Sequence, residues 1–142
     1  MPNVPFPRDF YKKPRCVSFP SAPSDRAAKY YNTTSWQKTR RAVAQEHPLC
    51  ELSLLQNRVA NADELHHLIK FNEQPNEEMR LRLLLDPDNI IALSQEKHLN
   101  IHYRRHLLTE DEVNLLNERK QKVYAKYVAE GCPIVWTEDA NT

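Results

Sequence analysis

Between Glu64 and Tyr103 the chain passes from a short apolar run, through a polar and proline-bearing stretch, to a second apolar run and a capped helix. Four of its six histidines fall inside this stretch. No other feature constrains the fold as much. Glu64 to Phe71 reads as a strand carried by Leu65, Leu68, Ile69 and Phe71, with polar residues where an ordinary strand has no need of them. Asn72 to Asn76 is a loop whose Pro75 and Asn76 suit the start of a short helix over Glu77–Leu84. Asp86-Pro87-Asp88-Asn89 is a tight turn. Ile90-Ile91-Ala92-Leu93 is a second short strand, and Ser94 caps a helix running from Gln95 to about Arg104. The centre of the chain therefore reads strand, loop, strand, helix.

Histidines lie on the first strand and on the last helix of that unit. Adjacent strand residues face opposite ways, so His66 and His67 cannot do the same job on one surface unless the backbone turns there. His98 and His102 are one helical turn apart and project from the same face. That pair is a natural two-ligand clamp for a divalent transition metal, and one strand histidine completes a three-imidazole set with open positions for water and substrate. Taken singly, each element has an ordinary reading. A histidine pair in a strand is usually structural or exposed, and Asn89 after Asp-Pro-Asp is by default a turn residue. Their joint occurrence within 37 residues is what points to a site.

The flanks have a different character. Residues 1–23 hold six prolines, which leaves no room for a helix or a central strand, so the expectation is an extended arm pinned by Phe6, Phe10, Tyr11 and Phe19. Ser24 or Asp25 caps a short turn through Tyr30, and Ser35 caps a helix from Trp36 to about Glu46, ended by Pro48. Trp36 and Val43 share its packing stripe, with Thr39 or Arg40 between them. Residues 49–62 alternate poorly and read as turns. Thr109-Glu110-Asp111-Glu112 is a capping box opening a long helix to about Glu130, with Val113, Leu116, Lys120, Val123 and Tyr127 along one face. Gly131, the only glycine, stops it. Ile134-Val135-Trp136 is expected to dock back. The domain reading is an arm over 1–23, a core over 24–108, and a C-terminal helix and tail over 109–142.

Composition excludes several classes. The longest apolar runs are too short to span a membrane, and the N-terminus, with Pro2, Pro5, Pro7 and early charges, does not read as a secretory signal; the expectation is a cytoplasmic protein. Cys16, Cys50 and Cys132 are odd in number and form no CxxC, which argues against a disulfide framework or a thiolate zinc site. Residues 1–46 hold nine Lys/Arg against three Asp/Glu, and residues 47–142 eleven against sixteen. A basic first third beside an acidic remainder suggests an anionic partner, although a solvated charged arm fits the same count.

From Tyr31 to Tyr103, roughly half the chain, the sequence resembles the HNH endonucleases, or ββα-metal nucleases. The likeness rests on Trp36-Gln37-Lys38-Thr39-Arg40, His47-Pro48-Leu49-Cys50-Glu51, Glu64-Leu65-His66-His67-Leu68-Ile69, Asp88-Asn89-Ile90-Ile91-Ala92-Leu93 and Lys97-His98. The nine-residue step from Asn89 to His98 agrees with the family. The further step of four to His102 looks like the subtype of colicin-type DNases. The lead-in is similar to small phage and prophage proteins often encoded near DNA-packaging genes.

The resemblance implies an α+β fold with a ββα-metal (His-Me finger) core, flanking helices and the proline-rich arm. It implies a metal-dependent endonuclease or nickase acting on DNA. His67 would be the general base, His66, His98 and His102 the metal ligands, and Asn89 the residue that holds the loop between the strands and keeps His67 in place. One divalent ion (Zn, Ni, Mg or Mn) would be bound, three imidazoles favouring Zn or Ni, with Asp63 or Glu64 contributing from behind. Lys38, Arg40, Arg41, Arg104 and Arg105 would contact phosphates, with low sequence specificity. Where many family members carry two CxxC pairs, this chain reads Cys50-Glu51-Leu52-Ser53 and Ser94-Gln95-Glu96-Lys97. The structural zinc is therefore expected to be absent, its place taken by packing of Leu49, Leu52, Leu54, Leu55 and the long helix. Two other readings compete. One is a catalytically inactive nucleic-acid-binding or packaging-accessory module working with phage packaging proteins. The other is a structural zinc site saturated by a fourth ligand such as His106.

Overall fold

The computed structural model describes residues 25–138, so the proline-rich arm, the Ser24 cap and residues 139–142 lie outside the described residues. The elements are α1 (Asp25–Tyr31), α2 (Thr34–Glu46), α3 (Glu51–Leu55), β1 (Glu64–His67), α4 (Glu77–Leu85), β2 (Ile90–Leu93), α5 (Gln95–Tyr103) and α6 (Glu110–Ala129), with single 3-10 turns at Pro87–Asn89 and Arg105–Leu107. β1 and β2 pair antiparallel, with Glu64 opposite Leu93, His66 opposite Ile91 and His67 opposite Ile90. The architecture is mixed α+β. Among the described residues no helix is long and apolar enough to cross a membrane.

A two-stranded ribbon is marginal by itself. Here β2 is buried at all four positions, because Leu52, Leu83, Leu84, Ile101 and Tyr127 join Ile91 and Leu93 in the core, all fully buried. Burying one such aliphatic side chain contributes about 1.5–3 kcal/mol, so helices on both sides, rather than the ladder, hold the sheet. Local signals start the helices. Asn76 Oδ1 accepts from Glu78 N at 2.8 Å, Ser94 Oγ from Lys97 N at 3.3 Å, and Thr109 and Glu112 close the capping box reciprocally at 3.2 and 2.9 Å. Gly131, at φ 74°, ends α6 in the left-handed region.

The structure corrects the sequence reading at several points. α2 is capped by Thr33, whose Oγ1 accepts from Trp36 N at 3.2 Å, not by Ser35. The first strand stops at His67 instead of Phe71, because Asn89 takes over as partner. Leu68 N donates to the Asn89 carbonyl and Ile69 N to Asn89 Oδ1, both at 2.8 Å. The supposed turns of 49–62 contain α3, set beside an isolated bridge between Leu49 and Asn61; five residues are too few to display a period. Leu54 and Leu55 remain 46% and 42% exposed, so of that leucine group only Leu52 is fully in the core. On α6, Val113 is half-buried and Glu112 wholly buried beside Leu116, Lys120, Val123 and Tyr127.

The tail docks, mainly through polar groups. Ile134 is buried and Val135 is not, but the Gln74 amide pairs with the Val135 backbone in both directions, at 2.6 and 2.8 Å. The Lys120 ammonium sits 4.6 Å over the Trp136 ring and donates to the Thr137 carbonyl.

Candidate metal centre

Alternation along β1 puts Glu64 and His66 on one face and Leu65 and His67 on the other. α5 packs on the first face, with His98 and His102 one turn apart. The consequence is a cluster in which one nitrogen from each of His66, His98 and His102 lies within 4.8 Å of the others. The ring centroids of His66 stand 5.2 Å from His98 and 5.1 Å from His102. Of the two strand histidines, tertiary packing therefore selects His66 to join the helical pair.

The donor chemistry fits a transition metal. His98 Nε2 and His102 Nε2 are 3.0 Å apart. Two nitrogens bonded at 2.0–2.1 Å to one ion stand roughly 3.3 Å apart in a tetrahedron and about 2.9 Å apart at a right angle, so this spacing needs almost no adjustment. His98 Nδ1–H donates to Glu64 Oε1 at 2.9 Å. This carboxylate behind the imidazole fixes the tautomer and leaves Nε2 as the ligand atom. His102 Nε2–H then donates to His98 Nε2, and ion binding requires that proton to move to His102 Nδ1. Burial, reinforced by the neighbouring His98, His102, His67 and Lys120 charges, holds His66 well below the ordinary histidine range. His66 is accordingly neutral at pH 7, the form of the ring that ligates metals.

His67 lies on the opposite side of β1. Its ring packs against Phe71 at 5.0 Å, Trp36 at 5.2 Å and Tyr31 at 6.3 Å, and Nε2–H donates to the Leu84 carbonyl at 3.0 Å. Only 7% of its surface is exposed. Burial pushes it down to about 4, the Leu84 carbonyl works the other way, and the charge of His98 adds to the depression. With Nε2 engaged, Nδ1 is the atom left to take a proton.

Asn89 is completely buried and spans three backbone groups. Its amide donates to the Ile69 and Leu83 carbonyls at 3.0 Å each and accepts from Ile69 N at 2.8 Å. It therefore ties the end of β1 to the last turn of α4, next to the Leu84 carbonyl that holds His67.

Lys38, Arg40 and Arg41 are exposed on α2 and form no ion pair among the described residues. Arg40 and Arg41 line a groove of about 350 Å³ with Trp36, His47, Asp63 and Glu64, so the groove runs up to the residue that holds His98. Arg104 is exposed, whereas Arg105 is half-buried and donates to the Ile101 carbonyl at 3.3 Å. His106 is exposed and outside the cluster; among the described residues no fourth donor joins the three imidazoles. A larger hollow of about 480 Å³ lies elsewhere, between His47, Pro87 and Lys122. Its cations Arg119, Lys122 and Lys126 are matched by Glu51, Glu118, Asp86 and Asp88, which leaves no surplus positive charge there.

Sequence reading named Glu64 only as one of two residues behind the metal. Its i, i+2 spacing from His66 was the available signal for a shared face. The Leu84 carbonyl and the Tyr31–Trp36–Phe71 cage around His67 left no such signal. Cys50, Ser53 and Ser94 also meet. Burial pushes the Cys50 thiol up, but hydrogen bonds from Ser53 and Ser94 outweigh it and hold the thiol below its ordinary range. The chain matches no protein-family model, no curated protein and no solved structure.

Proposed function

We propose that this chain is a metal-dependent endonuclease or nickase of the ββα-metal type, hydrolysing DNA phosphodiester bonds. The observation that carries the proposal is the three-imidazole cluster backed by Glu64 and left three-coordinate by the described residues, since a catalytic centre keeps an open position. His66, His98 and His102 would hold the ion, with Zn or Ni suited to this donor set better than Mg or Mn. When bound, the ion supplies Lewis-acid stabilisation of the charge that builds on the phosphate.

The chain supplies the rest. Glu64 fixes the tautomer of His98. His67, kept neutral by burial and oriented by the Leu84 carbonyl, takes the proton of the attacking water at Nδ1. Asn89 holds the backbone that carries that carbonyl. Arg40 and Arg41, which form no ion pair among the described residues and line the groove together with Glu64, contact the DNA backbone without reading bases, as would Lys38, Arg104 and Arg105.

The burial of His67 in an aromatic cage, across the strand from His66, favours a second reading: a module that binds metal and nucleic acid without cutting. A plasmid-nicking assay with Zn, Ni, Mn or Mg on wild type and His67→Ala decides between them. Cutting by wild type that falls 100-fold or more in the variant, with metal binding retained, supports the nuclease; general acid–base catalysis contributes about 10²–10⁴. DNA retardation with no cutting under any metal supports the binding module. Undiminished cutting by His67→Ala removes His67 from the mechanism.

A further inference from the structure

Two of the three cluster donors ride on α5, a helix of nine residues. So short a helix has no stability of its own, and its buried residues are Lys97, Asn100 and Ile101, of which only Ile101 is apolar. One isoleucine holds a helix against the core without fixing its rotation. Side chains reach about 5–6 Å from a helix axis, so a 20° roll carries an imidazole roughly 2 Å. Ligand bonds tolerate about 0.2 Å. Something directional must set the roll of α5.

Two directional contacts do so, the His98–Glu64 hydrogen bond on the sheet side and, facing the other helices, a buried ion pair. Lys97 Nζ meets Glu112 Oε2 at 2.8 Å, the lysine side chain 7% exposed and the glutamate not at all. Glu112 Oε1 accepts from Thr109 N at 2.9 Å and from Gln56 Nε2 at 3.3 Å, and Gln56 Oε1 accepts from Lys97 Nζ at 3.5 Å. The residue before His98 is thereby locked to the first turn of α6 and to the residue closing α3. Buried ion pairs are poor stabilisers, and an apolar pair of similar volume often does as well or better.

We propose that Lys97 and Glu112 are positioning residues of the metal centre, fixing the rotation of α5 so that His98 and His102 stay within reach of the ion held with His66. This makes the C-terminal helix a working part of the site and not only scaffold. The proposal rests on the metal-binding reading above but not on nuclease activity.

The test is Co²⁺ titration of the full chain, followed by its visible d–d absorption, with urea unfolding in chelator measured in parallel. Lys97→Met/Glu112→Leu, which also gives up the Glu112 arm of the capping box, is expected to unfold cooperatively with a urea midpoint at or modestly below the wild-type value, yet to bind Co²⁺ about 10- to 100-fold more weakly, the range for residues that support ligands from behind, with an altered band. Lys97→Arg/Glu112→Asp, which keeps the charges but displaces the contact, is expected to weaken binding as well and serves if the apolar pair does not fold. Wild-type affinity and spectrum in either folded double variant overturn the proposal. Failure of the wild type to bind Co²⁺ overturns it together with the metal reading. Intact Co²⁺ behaviour without DNA cutting counts against the nuclease alone.

Discussion

Replacing Asn89 by alanine removes the side chain that joins β1 to α4. The amide makes three buried contacts, with Ile69 N at 2.8 Å and with the Ile69 and Leu83 carbonyls at 3.0 Å, and is itself 0% exposed. Each partner left unpaired out of water costs about 1–3 kcal/mol. Two of the three are carbonyls, which tolerate an empty lone pair better than an N–H tolerates losing its acceptor. The lower end of the sum, about 3–4 kcal/mol, is therefore expected. Against a total stability of order 5–15 kcal/mol this is a large share. With a urea slope near 1.5 kcal/mol/M the unfolding midpoint falls by about 2 M. Far-UV circular dichroism during urea unfolding, in chelator so that metal does not contribute, reads the shift. A fall below about 0.5 M would refute the reasoning, because it would mean that water or a backbone shift satisfies all three groups. Asn89→Asp is expected to be at least as damaging at pH 7, since a carboxylate would face two carbonyl oxygens. It should recover partly in acid as the carboxyl protonates. In either variant, DNA nicking measured where the protein is still folded should fall too, because Leu83 adjoins the carbonyl that orients His67.

Other expectations follow from the same contacts. The folded pKa of His67, about 4, lies below the ordinary unfolded value near 6.5. Stability from keeping it neutral is therefore complete above 6.5 and is lost as pH falls from 6.5 to 4, by about 3 kcal/mol. His66, held down in the same direction, adds to that loss. A urea midpoint that stays constant between pH 7 and 4.5 in chelator would contradict this. Glu64→Ala should weaken Zn²⁺ binding about 10- to 100-fold while leaving the circular dichroism spectrum unchanged; undiminished affinity would show that the hydrogen bond to His98 is incidental. Arg40→Ala/Arg41→Ala should lower the slope of log binding constant against log salt on duplex DNA by about 1.8, because each neutralised phosphate contributes about 0.9. An unchanged slope would place the DNA path elsewhere.

Much of the fold is visible in the chain because it is made within a few residues. The caps at Asn76, Ser94 and Thr109 satisfy backbone donors two or three positions on, and any structure containing those helices needs them. The i, i+4 step brings His98 and His102 together whatever lies beyond the helix. β2 announces itself as four apolar residues between turn and cap. Where the sequence reading failed, the deciding partner lay far along the chain. β1 stops at His67 because Asn89, twenty residues on from Ile69, accepts the next two hydrogen bonds, one at its carbonyl and one at its side chain. Leu54 and Leu55 face solvent because α3 turns only Leu52 and Ser53 inward.

The candidate site divides along the same line. Residue spacing alone specified four imidazoles, an amide and the helix that carries two of them. It could not say which strand histidine joins that helix, because alternation offers both faces and only the packing of α5 against β1 chooses His66. Nor could it show that Leu84 holds His67 from 17 residues away, or that Glu64 backs His98 from 34. The burial of Lys97 against Glu112 joins two different helices and was equally hidden. Local hydrogen bonding is written in neighbouring residues, whereas the approach of distant segments is set by how the whole core packs.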